Sequence, residues 1–147
     1  MRVLPPELSA QLGEAEIMAI EAHPVRLSDA TSVDAIDLAI GWAARVEKFD
    51  ADRALPWSDR TVWNEHDLAG ALFARDFLQT ALDGLPVSAR DRLAGWIAVA
   101  DERFRSYTVD DPDQKMAKIA DVDLNGRPWW WRRVPVDGPI VQDLANY

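Results

Sequence analysis

The stretch from Asp34 to Phe49 carries apolar residues on so wide an arc that it demands burial on several sides. At about 100° per residue, Ala35, Ile36, Leu38, Ala39, Ile40, Trp42, Ala43, Val46 and Phe49 fill most of a helical wheel. Asp34, Asp37, Gly41, Arg45 and Lys48 share what remains. A helix of this kind belongs at the centre of a bundle, so the rest of the chain must supply its neighbours.

Punctuation residues place those neighbours. Pro5-Pro6 opens a helix over about 6–22, which His23-Pro24 ends because the residue before proline avoids helical backbone; Gly13 is its weak point. A loop to Ala30 follows, and Thr31 or Ser32 caps the central helix, 32–49. A long connection with Pro56, Trp57 and Trp63 leads to a third helix, 64–83, opened by Asn64 and Asp67 and stopped by Gly84. Its apolar arc is read as Phe73, Phe77, Ala81, Ala74, Leu78, Ala71 and Leu82. Pro86 and the Ser88-x-x-Asp91 pattern start a fourth helix, 88–107, with the stripe Leu93, Trp96, Ile97, Ala100, Phe104 and Tyr107. Asp101 and Arg105 are expected to pair on its exposed side.

After the acidic loop Asp110-Asp111-Pro112-Asp113 the pattern changes. Two short runs flank Asn125-Gly126, a strong hairpin signal, which predicts a β-hairpin over about 117–134 followed by an extended tail. A two-residue turn would put Ala120, Val122, Leu124, Trp129 and Trp131 on one face, and Ile119, Asp121, Asp123, Trp130 and Arg132 on the other. Trp129 and Trp131 then anchor the hairpin to the helices. Trp130 stands on a polar face beside Arg132, the composition of a binding hot spot. Its alternative is to lie under the tail residues Val136, Ile140, Val141 and Leu144.

The fold expected is therefore α+β, a bundle of about four helices with a C-terminal hairpin, forming one domain over residues 1–147. A chain of 147 residues with 48% hydrophobic residues and seven tryptophans has enough apolar side chain to build a core. The 25 acids against 16 bases, a formal charge of −9, disfavour nucleic acid and anionic membranes and favour a basic partner. With no cysteine, no signal-like N-terminus and no long apolar run, the expected location is the cytoplasm.

Motifs for chemistry are sparse. Asp121-x-Asp123-x-Asn125-Gly126 matches the first half of a calcium loop, but Arg132 stands where the closing glutamate belongs. Glu65-His66-Asp67 has the residue types of a metal or proton-transfer site without a second ligand at helical spacing, so His66 is read as structural. No glycine-rich phosphate loop and no nucleophilic elbow occur, and no cofactor is implied. The leading expectation is a non-catalytic domain that neutralises or escorts a basic protein, in the manner of a bacterial immunity protein or antitoxin. Trp130, Arg132, Asp121 and Asp123 are its candidate contact residues. The competing expectations are a metal-dependent enzyme using His66 with the loop acids Asp50, Asp52, Asp59, Asp110, Asp111 and Asp113, and an accessory subunit or homodimer closing over Trp130.

Overall fold

A computed structural model describes residues 2–147. The fold is mostly helical α+β, with several helices and two small antiparallel strand pairs, one of them near the C-terminus. Its centre is the broadly apolar segment. Helix α3 (Ala35–Asp52) buries Ala35, Ile36, Ala39, Trp42, Val46 and Phe49 and packs against both other long helices, α4 (Glu65–Asp83) and α5 (Val87–Ser106). Its cap is Asp34, whose side chain accepts from the Asp37 N–H at 2.9 Å. Thr31 and Ser32, the expected caps, are instead part of a strand.

The expected first helix is divided into α1 (Pro6–Gln11) and α2 (Glu14–Glu21). The cause is geometric. A straight helix would set Leu8 and Ile20 about 120° apart, yet both are completely buried. The extended backbone of Leu12 and Gly13 turns the chain so that each short helix reaches the core. The segment read as a loop then forms a small hairpin, β1 (Val25–Ser28) with β2 (Thr31–Val33). It is mostly exposed, so no apolar alternation announced it.

Helix α4 begins as expected. The Asn64 side chain accepts from the N–H groups of His66 and Asp67, and Asp67 accepts in return from Asn64 N–H, a complete capping box. Gly84 ends the helix. Helix α5 starts one residue before Ser88, with Pro86 at the cap position and no side-chain capping bond. Asp101 does not pair with Arg105 on an exposed side. It is buried and pairs with Arg75 of α4, because both lie where the two helices face each other.

The predicted hairpin at 117–134 is replaced by other structure. Lys115–Ala120 is a helix, α6, whose first N–H groups are held by the buried Asp111 carboxylate at 3.0 and 3.1 Å. Met116 and Ala117 bury on α6, which lies against α4. Asn125-Gly126 does turn the chain, with Asp123 accepting from Asn125 N–H and Gly126 at φ 74°, but the turn joins no two strands. Beyond it Trp129–Arg132 forms a 3-10 helix. The C-terminal strand pair is β3 (Thr108–Asp110) with β4 (Arg133–Pro135), in the register Val109 opposite Val134. The tail is not extended but ends in helix α7 (Pro139–Leu144).

Gly138 makes the entry to α7 possible. It sits at φ 97°, and a Cβ there would come within 2.8 Å of the Arg53 Cα. Gly138→Ala is therefore expected to cost at least about 1 kcal/mol, read as a lower urea midpoint with an unchanged slope.

Candidate protein-binding face

The tryptophan triplet faces inward. Trp131 is completely buried and Trp130 is 3% exposed, while Trp129 is half-buried. Alternation between opposite faces, the reason for expecting Trp130 outside, applies to strands; a 3-10 helix advances the chain by a third of a turn per residue. The three indoles therefore fan out. Trp129 packs near Phe104 and lies under the Arg105 guanidinium, 3.7 Å from the ring centroid. Trp130 lies against Arg75, whose guanidinium carbon is 4.2 Å from the ring centroid. Trp131 meets Phe73 edge-on with centroids 4.8 Å apart.

One carboxylate organises this arrangement. Asp76 of α4 accepts from the Trp130 indole at 2.9 Å and the Trp131 indole at 3.0 Å, and Arg127 donates to its second oxygen at 3.2 Å. Neighbouring tryptophans on a strand could not both reach one acceptor. Beside it Arg75, 4% exposed, donates to both Asp101 oxygens at 3.1 and 2.9 Å, and the Trp42 indole donates to the same carboxylate at 2.9 Å. No buried side-chain polar atom among the described residues lacks a partner.

The other candidate contact residues are separated by this packing. The Arg132 guanidinium donates to the Arg127 and Leu124 carbonyls at 2.9 and 2.8 Å, closing the loop in front of the triplet. Asp121 ends α6 in left-handed backbone, and Asp121 and Asp123 are exposed. Arg127 ties this loop to α4 by donating both to Asp76 and to the Asp123 carbonyl. The acids are therefore presented beside α4, while Trp130 lies beneath it.

What α4 presents there was read as core. Phe77 is 48% exposed and Phe73 36%, and with His66, Gly70 and Thr80 they form an exposed row at alternating spacings of four and three residues. The opposite side, with Leu68, Ala71, Leu72, Arg75, Leu78 and Leu82, is buried instead. Ala71, Leu78, Ala81 and Leu82 of the expected arc are buried, but its phenylalanine edge lies outside, and Leu68, Leu72 and Arg75 turn inward because Asp101 neutralises the arginine. The usable signal was Asp101, an acid inside the apolar stripe of α5 and a natural mate for an arginine inside the stripe of α4.

His66 follows the phenylalanines outward. Its ring is largely in solvent and, among the described residues, has only Glu65 within ion-pair distance, at 3.6 Å, so it does not fill the structural role expected of it. Among the described residues no three His, Asp or Glu side chains gather to hold a metal ion. Asp52 instead binds Lys48 and the Trp63 N–H, Asp50 binds Arg53 and Arg103, and Asp59 binds Thr61. Burial pushes the Tyr107 phenol above its usual value, and its hydroxyl donates to the Val46 carbonyl at 2.8 Å. No helix among the described residues is long and apolar enough to cross a membrane. No protein-family model matches the chain, and neither the curated proteins nor the solved structures gave a match to it.

Proposed function

We propose that the protein is a non-catalytic binding domain for a basic protein, which it neutralises or escorts through the outer face of α4. The observation that carries this reading is the placement of Phe73 and Phe77. They stand at the centre of the solvent side of the helix, where Phe73 covers Trp131 and Phe77 keeps about half of a large apolar side chain in water. Exposed acids flank the face, with Asp67 and Asp83 near the two ends of the same helix and Asp121 and Asp123 on the segment that Arg127 ties to it. An apolar centre within an acidic rim suits a partner that presents a hydrophobic anchor among lysines and arginines. The overall charge of −9 would speed the encounter.

The immunity or antitoxin role is the specific form of this proposal, supported by small size, acidity and a site built for contact rather than chemistry. Trp130 has a different part from the one its sequence context suggested. It holds the floor on which the face is built, with its neighbour Trp131 directly under Phe73. The test is parallel affinity capture from the native host with the wild-type protein and with Phe77→Glu. A basic protein held by the first and lost by the second, with both baits melting alike, is the expected result. Equal retention by both baits, or retention of acidic proteins only, would overturn the reading.

A further inference from the structure

A second surface, distant in sequence from the α4 face, has its own shape and charge. A trough of about 580 Å³ lies between α3 and α5 beside α1. Small residues create it: Ala43 on α3 and Ala100 on α5 cannot fill the space between the helices. Val46, Val99 and the half-buried Trp96 complete an apolar floor and wall, with Val99 69% exposed.

The rim is charged, and its charges are unequally used. Arg103 is committed to Asp50, 3.1 Å away. Glu7 on α1 and Glu47 on α3 are exposed and make no ion pair among the described residues. With Arg103 held by Asp50, a carboxylate it shares with Arg53, the trough presents an apolar bed beneath two unpaired carboxylates and one paired guanidinium. It is open along one side rather than enclosed. A helix laid along it could bury one face and keep the other in water.

The geometry points to this trough as a docking groove for an amphipathic basic helix of a partner protein. Apolar side chains of that helix lie on Trp96, Val99 and Ala43, and its lysines or arginines meet Glu7 and Glu47. This inference rests on the reading that the partner is a basic protein, but it places a contact where that reading placed none.

The experiment titrates the full-length protein with a synthetic helical peptide of about 15 residues, carrying leucines at helical spacing on one face and lysines on the other. Binding is followed by calorimetry. Wild type and Phe77→Glu are expected to bind alike, whereas the surface variants Glu47→Lys and Val99→Lys each weaken binding at least about tenfold while melting like wild type. No binding by wild type, or equal binding by all four proteins, contradicts the groove. Loss in Phe77→Glu with retention in the other two would move the peptide to α4, leaving the proposed function standing without the groove. Dodecylammonium binding as tightly as the peptide, or a dimer that Val99→Lys dissociates, would assign the trough to another occupant and likewise overturn the proposal.

Discussion

Asp101→Ala is expected to lower the unfolding free energy by about 3–5 kcal/mol, as measured by urea denaturation. The loss is large because two donors depend on this carboxylate. The Arg75 guanidinium, buried between α4 and α5, would keep its charge without its counterion, and the Trp42 indole would lose its acceptor. Gln79 would still accept from Arg75, but a neutral amide does not balance a charge. The aromatic faces of Trp130 and Trp42, 4.2 and 6.0 Å from the guanidinium carbon, soften the penalty without removing it. Replacing both partners, as Arg75→Met with Asp101→Leu, should cost less than Asp101→Ala alone, since no charge is then stranded. A single substitution costing under about 1 kcal/mol would show that Arg75 is solvated rather than enclosed.

Trp130→Ala is expected to destabilise the protein by about 3–5 kcal/mol, as much as Trp131→Ala. Both indoles are buried, both donate to Asp76, and either truncation leaves a cavity and an incompletely satisfied carboxylate. Trp129→Ala should cost less, because that ring is half-buried and makes its closest charged contact with the surface residue Arg105. Thermal melts of the three variants side by side would check the order. A nearly unchanged Tm for Trp130→Ala would return that residue to the surface role its sequence context suggested.

The helices were legible because their signals are local. Broad apolar arcs, the Asn64–Asp67 box and the Gly84 stop each act within a few residues, and α3, α4 and α5 appear close to where those signals place them. The C-terminal segment was misread because its decisive interactions are remote in sequence. Asp111 holds the start of α6, Asp76 draws Trp130 and Trp131 to one side, and Thr108–Asp110 captures Arg133–Pro135 as a strand partner. Against these, Asn125-Gly126 could set only a turn. The candidate face was hidden for the same reason. Asp121 and Asp123, expected on the polar face of a strand, stand exposed at the end of α6 and in the turn after it, and which edge of the α4 arc turns inward depends on Asp101, which is 26 residues from Arg75. Once that ion pair forms, Phe73 and Phe77 have only the outer side left.

This exchange of roles, Trp130 inside and Phe77 outside, is most directly tested by calorimetric titration of the captured basic partner against Phe77→Ala. The account expects a loss of about 2 kcal/mol or more, roughly 30-fold in Kd, with Tm held within a degree or so of wild type because the ring is about half exposed. An affinity within about twofold of wild type would contradict it and place the partner elsewhere on the molecule.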